Sequence, residues 1–206
     1  MVTVAIILLA AGMSSRTGKD GFHKLLAEFD GVPLLRRMAT AAAESEAISV
    51  TVVLGHRHAE LRDILSGIEV QTVVNPDFAF GMASSIAAGV AATEAQDADG
   101  IMVMLTDMPD ITTEHLDRMI KAFQDAGAIS IVRAVSVGKP GNPVILPRSL
   151  RDAVLELQGD VGARHLIKSS TLPVINVEIG RAAELDVDTL EEVATAGGVF
   201  VSASTT

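Results

Sequence analysis

No cysteine occurs among the 206 residues. That absence removes disulfide staples, thiolate metal sites and cysteine nucleophiles together. Tryptophan and tyrosine are missing too and there are only six phenylalanines, so any core has to be aliphatic. Positive charge is scarce, with 16 Lys and Arg against 26 Asp and Glu and a net charge of −10. A field of that sign repels nucleic acid and anionic lipid, which argues against both as partners. Long apolar runs are also lacking. Residues 2–11 are too few to span a bilayer and carry no basic segment of the signal-peptide kind, so a cytoplasmic protein is expected.

What the chain does have is aliphatic bulk. Hydrophobic residues make up 49% of it, enough for one sizeable core. Continuous apolar runs at 2–10, 50–54, 70–74, 101–105 and 129–135 read as strands buried on both faces. Between them lie helical patterns. One opens at Pro33 and runs to about Ser45, and one spans 58–65 with Leu61, Ile64 and Leu65 on one side. Another repeats Met82, Ile86 and Val90, and a fourth repeats Leu116, Met119, Ile120 and Phe123 after an N-cap at Thr112 or Thr113. Strands buried on both faces and alternating with amphipathic helices predict an α/β fold, a mostly parallel sheet with helices on both sides. A single domain is expected over 1–196. Its part from about residue 138, after Gly138-Lys139-Pro140-Gly141, would form a lobe of shorter elements, and 197–206 would be a flexible tail.

In such a sheet, ligands gather where the strands' carboxyl ends emerge. After the first strand comes the loop Gly12-Met13-Ser14-Ser15-Arg16-Thr17-Gly18-Lys19, then Lys24. Residues 1–24 hold three bases against one acid, leaving −12 on the rest. Glycines that let the backbone approach, hydroxyls and local positive charge make phosphate-binding chemistry. It is neither a Walker loop, because five residues separate Gly12 from Gly18 and Asp20 follows Lys19, nor a three-glycine dinucleotide fingerprint. The same residues would also make an ordinary strand-to-helix loop with solvated bases. After the fourth strand comes Leu105-Thr106-Asp107-Met108-Pro109. Asp107, with a second carboxylate from Asp186-Val187-Asp188-Thr189, would suit Mg²⁺, which takes one or two carboxylates plus phosphate oxygens. Each acid also reads as a helix cap, and both readings stay open here. His56 and His58 look like exposed turn residues, and His23, His115 and His165 are scattered. No nucleophile elbow is present.

Taken together these stretches resemble the molybdenum cofactor cytidylyltransferases within the MobA-like nucleotidyltransferases. Leu9-Ala10-Ala11-Gly12-Met13-Ser14-Ser15-Arg16-Thr17-Gly18 with Lys24 resembles the family's L-A-A-G-x-S-x-R-M-G signature and its lysine. Asn75-Pro76-Asp77-Phe78 with Gly81-Met82-Ala83-Ser84-Ser85 is similar to N-P-x-x-x-x-G-M-x-x-S, and Asp107-Met108-Pro109 to the metal-binding D-M-P. Gly141-Asn142-Pro143-Val144, Gly159-Asp160-Val161-Gly162-Ala163-Arg164 and Asp186-Val187-Asp188-Thr189 are similar to its three later elements, in order. Three positions depart from the pattern. Thr17 replaces Met, the gap from Gly18 to Lys24 is longer and contains Lys19, and Asn142 stands where many members have His.

The resemblance implies a Rossmann-like nucleotidyltransferase that uses Mg²⁺ held by Asp107 and Asp188. It would transfer CMP from CTP to the terminal phosphate of molybdopterin carrying molybdenum, releasing pyrophosphate. Leu9, Ala10, Ala11, Gly12, Ser14, Arg16, Lys24, Asn75, Gly81, Ser85 and Asp107 would bind the nucleotide, with Arg16, Lys24 and Asp107 catalytic. Asn142, Asp160, Gly162 and Arg164 would face the acceptor. A molybdenum hydroxylase would be the recipient of the product. Ala11, where related guanylyltransferases have Gly, favours CTP over GTP or another NTP. The alternatives are a guanylyl- or sugar-phosphate nucleotidyltransferase of the same fold, and a non-catalytic carrier of the molybdenum cofactor.

Overall fold

The structure is a computed structural model and describes residues 1–13, 22–92, 97–159 and 162–200. The chain opens with β1 (Val4–Ala10), two short strands β2 (Glu28–Phe29) and β3 (Val32–Pro33), α1 (Leu34–Ala43), β4 (Ser49–Leu54), α2 (His58–Ile64) and β5 (Gln71–Val74). Next come α3 (Met82–Ala91), β6 (Gly100–Leu105), α4 (Thr113–Asp125), β7 (Ile131–Ser136) and β8 (Lys139–Pro147). The last elements are α5 (Arg151–Leu155), α6 (Ala163–Ser169), β9 (Val174–Glu178), α7 (Leu190–Thr195) and β10 (Gly198–Val199).

Seven strands form one sheet in the order β5-β4-β1-β6-β8-β7-β9. Successive side chains of β1 enter two different apolar clusters. Val4, Ile6, Leu8 and Ala10 pack on one face with Leu34, Leu35 and Met38 of α1 and Leu116, Met119, Ile120 and Phe123 of α4. Ile7 and Ala11 pack on the other with Ile86 and Val90 of α3. Because both faces are covered, the strand is apolar at every position, which is why it reads as a run and not an alternation. Glycine sets how closely the helices approach. A Cβ on Gly89 would fall 2.4 Å from Ile7, and one on Gly100 2.5 Å from Phe123. Thr112 caps α4, accepting from His115 N–H, while the His115 side chain accepts from Thr112 N–H.

From β1 the chain moves outward to β4 and β5, then returns to β6 on the opposite flank. The reversal opens a crevice at the carboxyl ends of β1 and β6, the position at which open α/β sheets bind ligands.

Two expectations need correction. The stretch from residue 138 does not leave the main sheet. Val137 and Gly138, both at positive φ, make a two-residue turn, and β8 folds back antiparallel between β6 and β7. That makes β8 the one strand antiparallel to its neighbours in a sheet whose other pairings are parallel. Nor are residues 198–199 part of a tail. Gly198 is buried and pairs with Phe29 in a small antiparallel sheet β10-β2-β3, because a Cβ-less residue there lets the Phe29 ring and Val193 close over it.

Candidate functional site

At the crevice lies a cleft of about 460 Å³. One wall is the end of β1, Leu9 to Met13, with Lys24 and Leu25. The other is Leu105, Thr106 and Asp107 after β6, and a roof runs from Phe78 to Met82 and includes Ser85. Thr106 Oγ1 donates to the Leu9 carbonyl at 2.6 Å, tying the two strand ends together. The roof follows from Gly81, whose φ of 107° is open to glycine. It ends a 3-10 turn (Phe78–Phe80) and starts α3.

Charge concentrates at the floor. The Lys24 Nζ donates to Asp107 Oδ2 at 2.6 Å and to Asp188 Oδ1 at 2.7 Å, with side-chain exposures of 12%, 19% and 32%. Burial alone would lower the lysine's pKa. The charges and hydrogen bonds of Asp107 and Asp188 outweigh it and hold the ammonium above its ordinary value. Asp188 reaches this spot because Val187 N–H donates to the Asp107 carbonyl at 2.9 Å. Asp107 Oδ1 is buried and has no hydrogen-bond partner among the described residues. Burial raises the pKa of Asp186, and the charges of Asp107 and Asp188 raise it further.

Neither Asp107 nor Asp188 caps a helix. Thr112 caps α4. Thr189 caps α7 in a capping box, with the Glu192 carboxylate accepting from the backbone N–H groups of Asp188 and Thr189. Both carboxylates are thereby left to face a cation.

His23, one residue before Lys24, is buried, and burial is the main reason its pKa falls to about 4. The charges of Arg57, His56 and Lys24 add to that lowering, and the Gly12 backbone opposes it. Its Nδ1 accepts from Leu25 N–H and caps the 3-10 turn carrying Lys24. Its ring stacks on His56 at 6.1 Å, which in turn lies 6.4 Å from Phe78. His56 and His58 are exposed, as expected, but cap nothing.

Of the residues expected to bind, Leu9, Ala10, Ala11, Gly12, Lys24, Gly81, Ser85 and Asp107 line the cleft. Asn75 does not. It is buried behind the roof, its amide donating to Ser84 Oγ and Ser85 Oγ and its carbonyl accepting from Asp77 N–H, so it positions Ser85. Ser14, Arg16, Lys19 and Asp160 lie outside the described residues. Asn142 and Arg164 do not line the cleft, and Arg164 is exposed on α6. Gly162 sits against the roof, where a Cβ would come 2.9 Å from Met82 Sδ. Sequence reasoning missed Phe78, Phe80 and His23. A usable signal for the phenylalanines was their place beside a glycine that starts a helix, in a chain almost without aromatics.

Among the described residues no group of three or more His, Asp and Glu side chains is arranged to hold a metal, and no helix is long and apolar enough to cross a membrane.

Residues 6–174 match the family described as MobA-like NTP transferase domain. The chain is 30% identical over 195 residues to the purine catabolism protein PucB of Bacillus subtilis (strain 168), covering 90% of this chain and 92% of PucB. It is 30% identical, at the same coverages, to the nicotine blue oxidoreductase of Paenarthrobacter nicotinovorans. Rv0371c of Mycobacterium tuberculosis H37Rv superposes with a TM-score of 0.83 at 25% identity, over 95% of this chain and 97% of that one. A second structure of Rv0371c, in complex with manganese, superposes with a TM-score of 0.78 at 23% identity over 95% and 98%.

Proposed function

This chain belongs to the MobA-like NTP transferase family and is a nucleotidyltransferase of Rossmann-like fold, and from that premise we propose that it moves CMP from CTP to the terminal phosphate of the molybdopterin molybdenum cofactor. The observation that carries the reaction is the convergence of Asp107 and Asp188 on one cation, at the floor of a cleft whose opposite wall is the end of β1. The molybdopterin acceptor rests on the later motifs, and CTP rests on Ala11.

The donor set fits a hard divalent ion. Two carboxylate oxygens already meet at one positive centre, and the buried Asp107 Oδ1 still lacks a partner among the described residues. Asp107 and Asp188 would hold Mg²⁺, which when bound would neutralise phosphate charge. The chain's own groups then have three tasks. Gly12 and its neighbours on the β1 wall position the triphosphate, and Arg16 and Lys24 offset the charge of the departing pyrophosphate. Phe78 and Phe80 offer apolar faces to a planar ring. An oxygen of the acceptor's terminal phosphate bonds to the α-phosphorus as the bond from that phosphorus to the β-phosphate oxygen breaks, and the electron pair leaves with pyrophosphate. No protein nucleophile is needed, because the acceptor is already anionic.

The Ala11 Cβ lies against Gly55, so its influence on base choice runs through the shape of the wall. A single methyl in such a pocket discriminates by about 1–3 kcal/mol.

The test is pyrophosphate release with Mg²⁺, the molybdenum cofactor and each of the four NTPs. CTP should be used best, and Asp107→Asn should lower the rate by roughly 10²–10³ while the protein stays folded. Equal or better turnover with GTP reverses the base assignment. No pyrophosphate from any NTP refutes the transfer. One relative is named as an oxidoreductase, so NADH and NADPH oxidation are followed alongside. Hydride transfer would have no use for the paired carboxylates.

A further inference from the structure

The sequence assigns Lys24 to phosphate and Asp107 with Asp188 to metal, yet the fold places all three groups at one point. The Lys24 Nζ stands 2.6 Å from Asp107 Oδ2 and 2.7 Å from Asp188 Oδ1. A divalent ion held by those oxygens, at roughly 2.0–2.1 Å for Mg²⁺, would occupy the volume the ammonium now fills. The two cations exclude each other by contact and by charge.

Only the side chain has to move to resolve this. The backbone of Lys24 is fixed in its 3-10 turn by the His23 cap and the buried Leu25. The lysine stem already lines the cleft, so its alternative position is among the phosphates of a bound nucleotide. An ammonium does not leave a largely buried pair of carboxylates without compensation at both ends. The carboxylates need a replacement cation, and the lysine needs a new anion. A free metal ion supplies the first alone, and a metal-bound triphosphate supplies both.

We propose that Lys24 is the place-holder of the metal site, occupying the position between Asp107 and Asp188 in the free protein and yielding it to a divalent ion only when a triphosphate in the cleft receives the ammonium. The proposal rests on the reading above that these two carboxylates hold the ion. It makes the free protein a poor binder of free metal and loads the site with metal and nucleotide together.

The test measures Mn²⁺ binding without nucleotide, from the electron paramagnetic resonance signal of free Mn²⁺, and CTP binding by calorimetry. Wild type is compared with Lys24→Met, which keeps the apolar stem, and Lys24→Gln, which keeps a donor for one carboxylate and protects folding. Both variants should bind Mn²⁺ at least about tenfold more tightly than wild type, because the competing charge is gone. Both should bind CTP more weakly, because the phosphate partner is gone. Opposite signs for the two ligands are the signature, whereas a general lesion in the site would weaken both. Unchanged or weaker Mn²⁺ binding in both variants overturns the proposal. Adding Asp107→Asn to Lys24→Met, where the competing ammonium is already gone, separates this outcome from failure of the metal reading itself. If the double variant binds Mn²⁺ as tightly as Lys24→Met alone, the ion sits elsewhere and the underlying assignment falls.

Discussion

His23 should make the protein acid-sensitive well above the range in which ordinary carboxylates titrate. The ring is 2% exposed and its pKa is lowered from 6.5 to about 4, chiefly by burial. Between those two values the unfolded chain takes up a proton that the native state refuses. Stability is therefore whole above the unfolded value and drains away as pH falls toward the folded one. The full difference corresponds to about 3 kcal/mol, of which about 2 kcal/mol should be gone by about pH 5. That is a large part of the total for a domain of this size. Without tryptophan or tyrosine the chain gives little intrinsic fluorescence, so urea midpoints are followed by far-ultraviolet circular dichroism at about pH 7.5 and about pH 5. His23→Asn keeps an acceptor near the Nδ1 position for Leu25 N–H and removes the titration, so most of the acid loss should vanish. The pKa of His115 is lowered by burial and by the Arg118 charge and adds to the loss with the same sign. Asp186, whose pKa is raised, acts in the opposite sense. The comparison with the variant isolates His23. An equal loss in His23→Asn and wild type, or no loss in wild type over this range, refutes the reasoning.

Gly12→Ala should fold with an unchanged Tm, because among the described residues a Cβ there meets nothing within 4 Å, while the methyl enters the cleft and costs about 1–3 kcal/mol of nucleotide affinity by calorimetry. Phe80 is 73% exposed, so Phe80→Ala should leave stability within about 0.5 kcal/mol, yet weaken a ring-bearing ligand by about 1–3 kcal/mol. Phe80→Trp would place a single tryptophan at the cleft mouth, where ligand binding should change its emission. Gly141→Ala would bring a Cβ within 1.9 Å of the Ala183 carbonyl oxygen, and the shift this forces between β8 and residues 180–183 should cost about 3 kcal/mol in a denaturation series.

Much of the architecture was legible because its signals are local. The apolar period of α4 and its Thr112 cap depend on residues within a few positions of one another, and so do the continuous runs of β1 and β6. Such runs imply a sheet buried on both faces, which places Gly12 and Asp107 at the same end without any knowledge of the strand order. The cationic loop and the acidic strand end were therefore visible in the sequence as parts of one candidate site. What sequence could not decide was which groups meet through space. Lys24 lies 83 residues from Asp107 and 164 from Asp188, and nothing local marks that their charges share one point. Whether Asp188 or Thr189 caps α7 depended on which side chain was drawn elsewhere, and the pairing of Val187 with Asp107 settled it. The turn at Val137 and Gly138 looked like a boundary, because a turn says where a chain bends and not which gap in a sheet the next strand fills. His23 and Phe80 show the same limit from opposite sides, a polar ring buried and an apolar ring exposed, since burial is a property of the neighbours that folding brings and not of the residue itself.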